Sequence, residues 1–456
     1  MTTAAPAAGA DVPQVDRGLR RERLGWYSYD WANSVFYTSV VTVFLAPYLT
    51  SIARSAADAT GRIHPLGISM PPGSLFGYVL SLSTLLQVLV LPLVGAVADR
   101  SGRKRQLLAA FAALGSLCTL GLFFVTGERY LLGAVLFVVA NLGYGASIVV
   151  YYSWLPDLAG PDDRDAVSSR GWAFGYLGGA LLLAANLALY SLHEGLGLSQ
   201  GEAVRICLAS AGVWWAGFTV VSVALLRNRT PRYVESTGGR GALTGGFRQL
   251  WHTLRDLRNY PLTLWFLAAY LIFNDGVQTI IGVSAQYGAE ELGLEQGTLI
   301  STILLVQFVA FAGAMVLGRI ADRVGAKRTV LGSLVVWTAV LVAAYFVQAG
   351  APLQFFLLAT VIGIVLGGTQ ALSRSLFSQL IPPGKEAEYF GFYEVSDRGT
   401  SWLGPFLFAL TFQLTESYRY AIFSLMFFFV VGGVLLARLN MRQAIVAAGN
   451  TPPERL

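Results

Sequence analysis

The sequence predicts an all-α membrane protein with twelve transmembrane helices in two six-helix, pseudo-symmetric bundles. Three observations carry this. Of 456 residues, 55% are hydrophobic and only 13% charged, against roughly 25% charged in a soluble chain, so there is too little polar surface for water. Apolar runs of about 20 residues, the length that crosses a bilayer core, recur along the whole chain. One basic loop sequence also occurs twice, half a chain apart.

The apolar runs lie near 25–49, 74–97, 107–126, 130–154, 171–192 and 203–226, and then near 262–286, 297–319, 329–349, 353–380, 389–414 and 419–440. The segment 227–261, rich in arginine and glycine, divides an N-terminal bundle (1–226) from a C-terminal bundle (262–456). The run at 389–414 is the least apolar, because Glu394, Asp397 and Arg398 fall within it.

Basic residues set the orientation. With the N-terminus cytoplasmic, the cytoplasmic segments hold the Arg17–Arg23 cluster, Arg100–Arg105, the arginines of 227–261, Arg319–Arg328 and Arg438–Arg455. The opposite side holds Arg54, Arg62, Arg129, Arg205 and Arg419. Cytoplasmic loops carry the excess of Lys and Arg, so both termini and the linker are expected inside. The net charge of +6 therefore reflects topology and implies no nucleic-acid partner. Cys118 and Cys207 sit inside apolar runs without metal spacing, so neither a disulfide framework nor a metal site is expected. No cofactor motif or catalytic constellation is present, and an enzyme is not expected.

The repeated loop reads GAVADRSGRKR from Gly95 to Arg105 and GRIADRVGAKR from Gly318 to Arg328. Transporters are commonly built from such internal repeats. The glycines allow close packing of helix backbones. Asp99 and Asp322 sit at helix ends, where a carboxylate can face the positive N-terminus of a neighbouring helix. The pattern resembles the signature of the major facilitator superfamily at Gly95, Asp99, Arg100, Gly102, Arg103 and Arg105, and again at Gly318, Asp322, Arg323, Gly325, Lys327 and Arg328. Three further stretches, Tyr29 to Tyr48, Leu155 to Gly179 and Gly367 to Pro405, resemble the autophagy-type vacuolar effluxer family. The short loops resemble its bacterial form, which implies a bacterial cytoplasmic membrane. The resemblance implies a twelve-helix permease with a gating motif in each half. It also points to amino-acid efflux, with which the eukaryotic members are associated.

A charge inside a membrane is costly, by roughly 2.5–3.5 kcal/mol on insertion scales, and each one needs a reason. Asp275 lies midway along the seventh run beside Asn274, and Arg374 lies in the tenth. Neither has an opposite charge within one helical turn, so each needs a partner from elsewhere: for Arg374 another helix, the substrate or a lipid phosphate, and without substrate the two are expected to serve one another, directly or through water. Asp30 lies near the inner end of the first run, at headgroup or shallow depth. Glu394 and Arg398 are spaced i,i+4 in the favourable order for an intrahelical ion pair, whereas Asp397 points to another face. Asn33, Asn141, Tyr144 and Gln370 are polar groups on helices that line the cavity in the resembled superfamily; the plain alternative for each is helix-packing glue. Gly171, Gly175, Gly178 and Gly179 are spaced for close helix contact. His64, His193 and His252 fall in loops, so any proton relay must use carboxylates.

These residues point to a monomeric secondary active transporter working by alternating access on a small polar solute. An amino acid would place its carboxylate on Arg374 and its amine on Asp275. Protons are the candidate coupling ion. The rival readings are a flippase or exporter of lipids or amphiphiles, which needs a lateral polar groove, and a non-transporting membrane sensor, which expects an added signalling domain.

Overall fold

A computed structural model describes residues 12–229, 255, 258–399 and 403–456. Most of the expected linker lies outside the described residues. Eleven helices there are long and apolar enough to cross a membrane: α1 (Arg17–Ser55), α2 (Pro72–Ser101), α3 (Lys104–Phe124), α4 (Tyr130–Leu158), α5 (Arg164–Ser191), α6 (Gln200–Leu225), α7 (Pro261–Glu291), α8 (Gly297–Val324), α9 (Ala326–Tyr345), α10 (Pro352–Gln379) and α13 (Tyr418–Arg438). Within the run expected at 389–414 the described residues form α11 (Glu386–Gly399) and α12 (Leu403–Thr415), and residues 400–402 between them lie outside the described residues. A short helix α14 (Met441–Ala447) follows α13.

The helix ends follow local chemistry. Pro261 and Pro352 open α7 and α10, where a missing backbone N–H costs nothing. Ser199 and Glu202 form a capping box at the start of α6. Gly102 (φ 59°) and Gly325 (φ 96°) end α2 and α8 with backbone angles that a side chain disfavours. The repeated loop thus keeps its glycine for a conformational reason in both copies. Within α1, residues Phe36–Phe44 widen into a π-helix, a local form frequent at functional sites.

The outer faces are apolar. Leu85 and Leu89 of α2, Leu117 of α3, Val220 of α6, Val335 of α9 and Leu357 of α10 are all exposed. Such a continuous apolar surface suits lipid, whereas the interior holds buried polar and charged groups that find partners on other helices. The protein is a multi-pass integral membrane protein.

The two halves of the chain meet where α2 packs on α11, α8 on α5, α10 on α5 and α11 on α4. The contacting residues are the C-terminal ends of α2, α8 and α10 and the N-terminal ends of α5 and α11. Alternating helix direction puts all of these at the end that carries the repeated loops. Gly95 faces the Ala387 carbonyl of α11, and Gly318 faces Ser169 of α5. The two motif glycines therefore occupy equivalent positions, each letting one half lie against the other.

Candidate functional site

At the contact between halves lies a buried ion pair. Arg374 of α10 is fully buried, and its Nη1 lies 3.3 Å from Asp30 Oδ2 of α1. The pairing expected between Arg374 and Asp275 is not the one formed. Arg374 projects from the end of α10 that packs on α5, and the carboxylate across that seam is Asp30. Asp30 is buried against protein at 6% exposure and accepts a 2.7 Å hydrogen bond from the Tyr151 hydroxyl.

Every side of the guanidinium is engaged. Nε donates to Ser168 Oγ at 2.9 Å and Nη2 to the Ser168 carbonyl at 2.8 Å. The rings of Trp26 and Tyr152 lie 4.8 Å from the guanidinium carbon, with Trp172 at 5.5 Å and Tyr151 at 5.9 Å. Such an aromatic box stabilises a cation that has lost its water. Gly171 makes room for it: a Cβ there would stand 2.7 Å from Asp30 Oδ2 and 2.6 Å from the Trp26 ring.

The same seam continues as a row of bonds between α5 and α10. Ser168 Oγ donates to the Ala371 carbonyl, Ser375 Oγ donates to Asp165, and Arg164 donates to the Ser378 carbonyl at 3.1 Å. On the other side of the seam, Asp99 accepts the backbone N–H groups of Ala387 (3.0 Å) and Glu388 (2.9 Å), the free donors at the start of α11. Lys104 stands 3.7 Å from the same carboxylate. The repeat is not symmetric here. Asp322 is exposed and its carboxylate accepts no hydrogen bond among the described residues. Lys327 instead donates to the Ala437 and Leu439 carbonyls at the end of α13, and Arg100, Arg103, Arg105, Arg323 and Arg328 are exposed.

A second polar cluster lies further from the motif end. Gln370, one turn before Arg374 on α10, donates to Asn274 Oδ1 at 2.7 Å. Asp275 Oδ2 accepts the Gly404 N–H at 2.7 Å, and Asp275 Oδ1 is buried without a hydrogen-bond partner among the described residues. Asp275 thus ties α7 to α12 in its own half. Asn33 donates to the Tyr29 carbonyl within α1. Asn141 donates to Ser83, and its carbonyl accepts from Gln87, tying α4 to α2. The Tyr144 ring packs 5.3 Å from Phe36. Glu394 is buried, and its expected intrahelical partner Arg398 lies, with Asp397, outside the residues described to the side chain.

Sequence reasoning passed over Ser168, Tyr151, Asp165, Ser375 and Trp26. Ser168 and Asp165 belong to the stretch from Leu155 to Gly179 that carries part of the family resemblance. A serine or a tyrosine in an apolar helix gives no further sign that it holds an arginine from a helix some 200 residues away.

Residues 18–449 match a family described as vacuole effluxer Atg22 like. The chain is 31% identical to the uncharacterized MFS-type transporter YxiO of Bacillus subtilis, over 91% of this chain and 94% of that one. It is 26% identical to autophagy-related protein 22 of Pyricularia oryzae, over 88% of this chain and 73% of that one. Among solved structures it superposes on a bacterial homologue of the iron transporter ferroportin in its outward-facing state, with a TM-score of 0.66, 14% identity and coverage of 93% and 99%. On the proton:xylose symporter XylE the TM-score is 0.63, at 15% identity and coverage of 93% and 95%. The chain belongs to the Atg22-like vacuole effluxer family of the major facilitator superfamily, in its bacterial form.

Proposed function

We propose that this secondary transporter moves a small polar organic solute, with amino acids the first class to test, by rocking its halves around the Asp30–Arg374 seam. The observation that carries the reading is this buried, cross-half ion pair. An unpartnered charge at such a place is expensive, so the pair resists separation until a ligand supplies replacement charges. A zwitterion does that: its carboxylate suits the planar fork of Arg374, and its amine suits a carboxylate. Asn33, Asn141, Tyr144, Asn274, Asp275 and Gln370 lie nearer the middle of their helices than this seam and are proposed to line the approach. Arginine asymmetry places the motif end and both termini in the cytoplasm. The seam is then the closed cytoplasmic gate, and the described state faces outward. Asp30 and Asp275, both buried carboxylates, are the proposed proton carriers if transport is coupled.

The test is a thermal-shift and counterflow screen of purified protein in liposomes against amino acids, sugars and organic cations, with and without an imposed proton gradient. At least one amino acid is expected to stabilise and exchange through the wild type but not Arg374→Gln. If sugars or amphiphiles do so and no amino acid does, the substrate class is wrong. Transport indifferent to the gradient removes the proton.

A further inference from the structure

Residues that follow α14 cross the closed end of the molecule. Asn450 donates from its side-chain amide to the carbonyls of Gln379 (2.8 Å) and Ile381 (2.7 Å), at and just beyond the end of α10. Arg455 donates to the carbonyls of Asp322 (3.1 Å) and Arg323 (3.3 Å), in the last turn of α8. These are helix C-terminal carbonyls, which lack intrahelical donors and lie at the negative end of the helix dipole, so an amide and a guanidinium suit them. Gly325, at positive φ, leaves the space that Leu456 fills; a Cβ there would collide with it. Pro453 is buried between these two anchors.

All of those contacts lie within the C-terminal half. One does not. The backbone N–H of Glu454 donates to Asp162 Oδ1 at 2.8 Å, in the loop that joins α4 to α5 of the other half. A charged acceptor makes this one of the stronger kinds of hydrogen bond. Gly449, Asn450 and Thr451 also form one wall of a cavity of about 340 Å³ whose other walls are Leu19, residues 156–161 and Arg164 of the N-terminal half. The tail therefore roofs the seam: it is fixed at two points on one half and touches the other.

We propose that residues 449–456 are a latch, anchored by Asn450 and Arg455 and closed on Asp162, that holds the motif end shut and must release Asp162 when that end opens. This rests on the alternating-access reading, and the experiment separates the two. Spin labels at Arg105→Cys and Arg442→Cys, both exposed at the motif end on opposite halves, report the gap between halves in the full chain, with Cys118 and Cys207 replaced by serine. The variants are Asn450→Ala/Arg455→Ala, which loosens the anchors, and Asp162→Ala, which removes the catch. Loss of one hydrogen bond of this kind shifts a two-state population by about threefold to tenfold, and both variants are expected to enlarge the long-distance population by that much. Gly95→Val, which wedges the seam itself, is the control that does not act through the tail. If Gly95→Val opens the gap and the tail variants leave it unchanged, the latch is refuted and alternating access stands. If no variant changes the gap, both fail. As an independent check, Asp162→Cys with Glu454→Cys should form a disulfide under mild oxidation and narrow the distance distribution of a Gly95→Val protein carrying nitroxides at the same two sites through non-cysteine chemistry. A disulfide that never forms in folded protein places the tail elsewhere and overturns the proposal.

Discussion

Arg374 is held by one carboxylate, one serine and a box of rings, and the energetics of such a site are asymmetric. Removing one partner of a buried pair strands the other, at a cost of about 3–5 kcal/mol, whereas replacing both is often nearly neutral. Asp30→Asn and Arg374→Gln are therefore each expected to lower thermal stability strongly, and the double variant to recover much of it. A double-mutant cycle by thermal unfolding in detergent measures this. Additive losses would mean that the two charges do not stabilise one another. Arg374→Lys is expected to recover little, because an ammonium cannot reach Asp30 and both acceptors of Ser168 in one plane. Gly171→Val should resemble Arg374→Gln in stability, since the added carbons would occupy the place of Asp30 Oδ2 and the Trp26 ring.

At the scale of helices, the α2–α11 contact is fixed by a glycine and a carboxylate one turn apart. Asp99 meets the first free N–H groups of α11, a helix-end interaction worth about 0.3–1 kcal/mol, and up to roughly 2 when partly buried. Asp99→Asn is expected to bias the population away from the closed motif end without changing insertion. Gly95→Val should do more, because overpacking costs about 1–3 kcal/mol and the added carbons meet backbone, which cannot move aside. Spin-label distances across the motif end report both, and equal distributions in wild type and Gly95→Val would remove the contact from the gate. Asp322→Asn is expected to change little, because Asp322 is exposed and its carboxylate grips no helix end among the described residues. The two copies of one motif thus predict unequal phenotypes.

For the whole molecule, orientation is the property to test. Arginine asymmetry predicts that Ala59→Cys, exposed in the loop between α1 and α2, reacts with an impermeant maleimide in intact cells, and that Gln443→Cys, exposed beyond α13, does not. The reverse pattern would invert the topology and turn the closed end outward. The proposed gate would then be extracellular.

Sequence by itself determined what depends on local composition and repetition. The spans and the two motif copies follow from hydropathy and repetition, because a bilayer demands runs of fixed length and helix ends demand particular residues, and the family follows from resemblance along specific stretches such as Leu155 to Gly179. The intramembrane charges were also legible, since any ionisable group in such a run stands out. Which charge meets which was not. Asp275 and Arg374 looked complementary because both lacked a local partner, yet Arg374 meets Asp30 and Asp275 meets the Gly404 backbone N–H of α12. Only the tertiary structure decided these pairings. They depend on which face of α10 packs against α5 and on how near Gly171 lets α1 and α5 approach, and that geometry joins residues hundreds of positions apart that leave no periodicity in the chain.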